Sequence, residues 1–399
     1  MSKKKLILIT MLAMLMVFAV TAISMAANIS EASQTCISCH KSLGATKNVI
    51  HDWKDSKHSE VGVSCYECHE AKPSDKDAFK HNGYTIATIV SPKDCGSCHS
   101  DAVEQHNNSL HAKGYDFTKK SGLYKYIGEA SKISGCRTCH GSKVKVLENG
   151  KLDPSTWPNN GIGRVNPDGS KGSCSACHTS HKFSVAEARK PEACGQCHLG
   201  PDHPQKEIYE ESKHGAIYAM EGDEWNWDDP AGEWNTEDFR APTCATCHMS
   251  EIGDAKLTHN VSARLSWELE RPLSVKTKQW KKKRSKMKSV CTECHSQQWT
   301  DNHFDRLDQV VNTYNNKFYK PYKKKYEQAK KDGVLTPGGF NDELDWKFFE
   351  FWHHEGRRAR MGAAMGGPDY VHWHGFYELA EDVQIMDRLL KEAYENAEH

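Results

Sequence analysis

Eight cysteine pairs in this 399-residue chain share one spacing, Cys-x-x-Cys, and a histidine follows each pair at once. The pairs are Cys36 and Cys39, Cys65 and Cys68, Cys95 and Cys98, Cys136 and Cys139, Cys174 and Cys177, Cys194 and Cys197, Cys244 and Cys247, and Cys291 and Cys294. The adjacent histidines are His40, His69, His99, His140, His178, His198, His248 and His295. No cysteine is left over, since the chain holds 16. Two thiols and a histidine at this spacing are the pattern of covalent haem c attachment, in which the thiols become thioethers to the porphyrin and the imidazole takes the iron. A single match would leave zinc or thiol redox chemistry open. Eight matches point to eight covalently bound haems, and hence to electron transfer or multi-electron redox catalysis.

Each iron has a second axial position. An electron carrier fills it, and a catalyst leaves one open for substrate. Fifteen histidines lie outside the motifs, enough for either outcome. His58, His111 and His214 recur in Ser-x-His patterns on expected helices. His181 follows a motif by three residues, and His259 lies in Leu257-Thr258-His259-Asn260. His353 or His354 would tie the C-terminal helices to the haems. Asp202 and His203 stand apart, as a carboxylate and an imidazole held between Pro201 and Pro204. That arrangement suits either proton transfer or a capped turn.

The elements around these residues fall into three parts. Residues 1–26 read as a secretory signal peptide, with Lys3, Lys4 and Lys5, an apolar run to Ile23, and Ser24-Met25-Ala26 before cleavage. A signal anchor is the alternative. No later stretch is apolar enough to span a bilayer, so a soluble periplasmic protein is expected. Residues 27–300 hold the motifs, whose first cysteines are 20 to 50 residues apart, with glycine, proline and polar residues between. Short helices and loops around haems are expected there, in a mainly α fold with little sheet. Residues 301–399 form a C-terminal helical region that packs on the haem domain and on neighbouring subunits. Phe304, Leu307, Val310, Val311, Tyr314 and Phe318 recur at helical spacing, and Pro321 should kink or end that helix. Apolar residues are 37% of the chain, below the roughly 45–50% of ordinary globular proteins. Porphyrin faces would supply the missing apolar surface. Lysines and arginines balance acids at 53 each, but they cluster. Residues 276–288 hold eight Lys or Arg, and residues 221–238 hold eight Asp or Glu with three tryptophans. These are either solvated surface or docking faces, and nucleic acid is not an expected partner.

The chain resembles the octahaem hydroxylamine oxidoreductases. The likeness rests on the eight motifs, on Cys194 to Pro204 running into Glu211-Ser212-Lys213-His214-Gly215, and on Gly367-Pro368-Asp369-Tyr370-Val371-His372-Trp373-His374-Gly375. It implies a helical homotrimer with seven bis-histidine haems and one catalytic haem with an open site, the fourth along the sequence. That maps onto Cys136, Cys139 and His140, with Asp202 and His203 above the iron. It also implies a tyrosine from a neighbouring subunit bonded to the catalytic porphyrin in members that oxidise hydroxylamine or hydrazine. Tyr370 is the first choice and Tyr377 the second. Electrons would leave to a cytochrome c. Members without that tyrosine resemble reductases that make ammonium from nitrite or hydroxylamine. A non-catalytic electron-transfer cytochrome is a second class of reading, and another octahaem family, such as the tetrathionate or nitrite reductases, is a third.

Overall fold

The computed structural model describes residues 28–398, so the expected signal peptide lies outside the described residues. The fold is mainly α, about 54% helical, and most helices in the first 250 residues span fewer than ten. Isolated helices this short do not hold in water, so each depends on its caps and on what it packs against.

The motif turns show how. Cys65–His69 and Cys244–His248 are five-residue helices that begin on the first cysteine. Positions i, i+3 and i+4 share one helix face. A single turn therefore aims both sulfurs and the imidazole the same way. Side chains fasten the entry. The Glu67 carboxylate accepts from the Ser64 N–H at 3.0 Å, and the Thr246 hydroxyl accepts from the Thr243 N–H at 3.0 Å. Capping also explains two of the Ser-x-His patterns. Ser56 accepts from the Ser59 N–H and Ser212 from the Gly215 N–H, which places His58 and His214 in the first turn of their helices. Ser109 caps nothing, and its buried hydroxyl has no partner.

Sheet is confined to two small antiparallel hairpins among the described residues. In the first, β1 (Phe79–His81) pairs with β2 (Tyr84–Ile86). Asn82 and Gly83 between them both have positive φ, at 47° and 90°, as a two-residue hairpin requires. The turn fixes His81 at the hairpin end.

Further along are α1 (Gln205–Glu211), α2 (Trp280–Thr292), α3 (Gln297–Thr313), α4 (Lys320–Lys331), α5 (Glu343–Glu350), α6 (Gly356–Met365) and α7 (Glu378–Ala397). The expected stripe on α3 is real: Phe304, Leu307 and Val311 are buried. Pro321 does not end this helical path. A π turn, Tyr314–Tyr319, lies just before it, and Pro321 falls in the first turn of α4. The widened turn absorbs the missing N–H and the ring clash that would break a regular helix.

The side-chain core sits mostly at the C-terminal end. Tyr314, Tyr322, Leu344, Phe351, Leu379, Met386 and their neighbours form the largest cluster. Arg360, fully buried on α6, stacks over the Tyr314 ring at 3.9 Å and donates to the Arg271 carbonyl at 2.8 Å. A second cluster gathers Trp225, Trp227, Trp234 and Phe239 under the acidic segment. The acidic loop is thus a solvated rim on an aromatic knot. Before residue 200, by contrast, the buried apolar side chains are few, and several are alanine.

Candidate haem and catalytic sites

Seven of the eight motif histidines face a second imidazole. The ring centroids are 5.9 Å apart for His40 and His81, 6.2 Å for His58 and His99, and 6.4 Å for His69 and His181. They are 6.1 Å apart for His111 and His198, 6.4 Å for His178 and His259, and 6.1 Å for His214 and His295. His140 faces His203 at 5.9 Å. A metal–imidazole bond is about 2 Å, so two in line through one metal, plus the half-widths of the rings, put centroids roughly 6 Å apart. All seven spacings fit an iron between the rings. Both ring nitrogens of His106, and Nδ1 of His198 and of His353, are buried without a hydrogen-bond partner, which native proteins rarely tolerate.

The sequence-predicted histidines separate on this test. His58, His111, His181, His214 and His259 each stand opposite a motif histidine. His353 does not; it stacks on Phe349 at 4.3 Å and lies near Asp202. The π turn Phe351–Glu355 carries it there. Two residues escaped the favoured set. His81 sits on a hairpin rather than a helix, and its only signal was the Asn82-Gly83 turn beside it. His106 lies on a helix, Ser100–Asn107, with no Ser-x-His pattern to mark it. Among the described residues no imidazole stacks opposite His248.

Sulfur neighbours give the order of the haems. In the holoprotein these atoms are thioethers, so their closeness reports adjoining porphyrin edges and not thiol chemistry. Cys139 lies within hydrogen-bonding reach of Cys197, Cys194 of Cys244, and Cys95 of Cys174. Cys247 neighbours Cys291 and Cys294, Cys68 neighbours Cys98, and Cys36 neighbours Cys65. Cys177 neighbours Cys194. The motifs therefore form one connected array: the Cys136 motif joins through the Cys194 motif, from which one branch runs by the Cys244 motif to the Cys291 motif and the other by the Cys174, Cys95 and Cys65 motifs to the Cys36 motif.

Buried cations line this array. Arg264 is 2% exposed and donates to the carbonyls of Thr246, Cys247, Ser250 and Lys256. No carboxylate pairs with it among the described residues. A buried charge without a counter-charge is costly, and here four carbonyl oxygens offset it.

The Cys136 motif differs from the others. A π turn, Lys132–Cys136, leads into it, and such turns are frequent at functional sites. Behind it Gly141 has φ 78°, and a Cβ there would lie 2.4 Å from the Arg164 nitrogen, so the backbone is locked. Opposite His140, His203 Nδ1 donates to the Asp202 carboxylate at 2.9 Å. That leaves Nε2 as the free proton-accepting atom. The loop carrying the pair is pinned at both ends. Gly200 N–H donates to Glu207 on α1 at 2.7 Å, and Arg357 on α6 donates to the Asp202 carbonyl at 2.9 Å and to the Glu270 carbonyl. Burial acts to raise the Asp202 carboxyl, but the hydrogen bond and charge of His203, with His353 and Arg357 behind it, hold it well below the usual carboxylate range. Burial pushes His353 down to about 3, helped by the charge of Arg357. Tyr370 is half-buried elsewhere, stacked near His374 at 4.9 Å and close to Gly362.

Residues 167–342 match the family model described as "Seven times multi-haem cytochrome CxxCH", and residues 16–70 match "Cytochrome c554 and c-prime". This chain is a multihaem cytochrome c. Among curated proteins, the cytochrome is 26% identical over 334 residues to a probable nitrite reductase-hydroxylamine oxidoreductase fusion protein of Kuenenia stuttgartiensis. That match covers 69% of the cytochrome but 35% of the relative, so the chain spans about a third of the relative's length. A solved structure described as a hypothetical multihaem protein is 27% identical, with TM-score 0.83 over 95% of this chain and 98% of that one. A reducing HAO-like protein complex of Kuenenia stuttgartiensis shares the fold at 20% identity, with TM-score 0.73 over 92% of this chain and 86% of that one. The cytochrome is related to the hydroxylamine oxidoreductase-like proteins. No helix among the described residues is long and apolar enough to cross a membrane.

Proposed function

We propose that this cytochrome is an exported, periplasmic octahaem oxidoreductase that oxidises hydroxylamine, or a related small nitrogen compound such as hydrazine, at the haem of Cys136, Cys139 and His140. The observation that carries this reading is the Asp202–His203 pair facing His140. Haem iron with a free axial position binds a nitrogen ligand and exchanges electrons with it. The residues of the chain do the rest. His203 Nε2 takes the protons that leave the substrate nitrogen. Asp202 fixes the ring through Nδ1 and stabilises the imidazolium that results. Arg357 holds the Asp202 backbone, so the pair does not swing away from His140. The other seven motifs would hold the haems that supply the route for electrons to a cytochrome c partner.

His106 is our assignment for the residue that, with His248, would hold the haem of the Cys244 motif. It neighbours His111, as does His248, and both its nitrogens lack partners. Tyr370 would act from a neighbouring subunit of a homotrimer, bonded to the porphyrin of the Cys136 motif.

Two further readings use the same parts. In the reductive direction, His203 donates protons, and nitrite or hydroxylamine goes to ammonium. In the non-catalytic reading, His203 is an ordinary axial ligand, and the 5.9 Å separation favours this because it matches the other six pairs. Electron paramagnetic resonance of the ferric protein separates them. A high-spin signal assigns an open site, and complete low-spin ligation that survives hydroxylamine overturns catalysis. The mass of the haem peptide containing Cys136 settles direction: an attached Tyr370 peptide supports oxidation, and a bare haem moves the reading to reduction.

A further inference from the structure

The charged segment 276–288 is not one surface. Arg284 and Lys276 turn inward and clamp the Asp308 carboxylate, Arg284 at 2.6 and 2.8 Å and Lys276 at 2.7 Å, which fastens α2 to α3. Lys288 pairs with Asp301, and Lys283 donates to the Ser262 carbonyl at 3.0 Å. Lys278, Lys281, Lys282 and Lys286 remain. All four are exposed, and none forms a salt bridge among the described residues. Lys282 and Lys286 are four apart on α2, which keeps them on one face, and Lys278 lies in the turn just before the helix. The structure holds them as uncompensated positive charge on a braced helix.

That helix ends in the last haem motif. Cys291 lies in its final turn, and Cys294, Gln297 and Gln298 beyond it are exposed. Trp299 is 41% exposed and stacks on His295, with centroids 4.0 Å apart and planes 16° apart. On its other side His303 stacks at 5.5 Å and 3°. Trp299 and His303, four apart on α3, stack in line with His295 just before the helix, a three-ring ladder with one ring open to solvent. A large exposed indole is a costly surface residue unless something covers it, and tryptophan is enriched where partners dock.

We propose that the lysine row of α2 and the indole of Trp299 form the docking face for an acidic electron-transfer protein. One electron passes between its redox centre and the haem held by Cys291, Cys294 and His295, by way of Trp299. When the partner is the donor, its centre loses one electron and the ferric iron becomes ferrous. Positive charge selects the partner and raises its association rate, while the indole gives an apolar contact at the haem edge. The inference needs only the haem, not the nitrogen chemistry, so its test stands apart from that reading.

The test uses the ferric holoprotein with the hydroquinone of flavodoxin, an acidic one-electron donor, and carbodiimide crosslinking of the same mixture. Crosslinks should join flavodoxin carboxylates to Lys281, Lys282 or Lys286. The triple variant K281E/K282E/K286E should slow reduction about tenfold or more at low salt and flatten its salt dependence. Oxidation of the reduced protein by mitochondrial-type cytochrome c, a basic acceptor, should not slow. Trp299→Ala should weaken flavodoxin binding and, in the saturated complex, slow electron transfer more than Trp299→Phe, with the low-spin spectrum unchanged. Unchanged rates in the triple variant, or crosslinks elsewhere, overturn the proposal. A change in oligomeric state in the triple variant also overturns it, by assigning the face to a second copy of the chain.

Discussion

The two ends of this cytochrome are built on different principles. Residues 314–390 form a conventional helical core of Tyr, Phe, Leu and Met side chains. Residues 28–200 have short capped helices, paired imidazoles and scarcely any apolar cluster of their own. Haem is the core in the second case and a neighbour in the first. Stability should therefore divide along the chain, with the haem-bearing part folded only as a holoprotein and the C-terminal helices more self-sufficient. The linkage is the one by which metal binding becomes folding free energy.

The largest effect should come from removing haem. Hydrogen exchange on apoprotein should show protection lost throughout 28–200 and retained in α4 to α7; uniform loss in both regions would erase the distinction. Next, His203→Ala should lower turnover with hydroxylamine by roughly a hundredfold to ten-thousandfold while intact mass still counts eight haems. Unchanged turnover would remove the proton-transfer role of His203. In the C-terminal core, Arg360→Met should destabilise by about 3–5 kcal/mol, since it strips a buried cation from the carbonyls of Arg271 and Trp352 and from Tyr314. Denaturant melts should show the loss in the C-terminal transition and leave the haem spectrum little changed.

The smallest effect is in pH. Burial pushes Glu355 up to about 8, with repulsion from Asp382 adding to it, and burial pushes Asp382 up to about 6 against the pull of Lys347. One oxygen of each is buried without a partner. A raised folded pKa means that the folded state binds more protons, so the stability it contributes is full below the unfolded pKa and is lost as pH rises. The C-terminal transition should weaken from about pH 4 to pH 8, and Glu355→Gln should flatten the upper part of that slope. A slope unchanged by Glu355→Gln would show that the group titrates normally.

How much of this was legible in the sequence differed between the two ends. The Cys-x-x-Cys-His motifs announce their own chemistry, because one helical turn is enough to aim three ligating atoms. The stripe at Phe304, Leu307 and Val311 announced α3 in the same local way. Pairings across the chain did not announce themselves. Nothing local links His81 to His40, or Asp202 to Arg357 some 155 residues later. The Ser-x-His pattern has a local reason at His58 and His214, where the serine caps the helix that carries the histidine. It offered no such reason at His111, where Ser109 caps nothing. Pro321 was expected to kink or end the helix; it does not end the helical path, and the distortion takes the form of a π turn just before it, which has no signature in residue types. His353 was read toward an iron and instead stands beside Asp202, because a π turn rotates the ring away from where a regular helix would aim it.

Arg264 has a consequence for the direction of electron flow. It is a permanent positive charge fixed by four carbonyls beside Cys247, partway between the Cys136 motif and the Cys291 motif. Reduction of an iron removes one positive charge from its surroundings, so a buried guanidinium favours the reduced form. The Cys244 haem should be the easiest of its neighbours to reduce and should act as a thermodynamic well midway along the array. Electrons leaving the Cys136 haem would collect there before the final hop to the exposed edge at Trp299. The protein would thus have a reservoir within its wire, set by one side chain that touches no substrate.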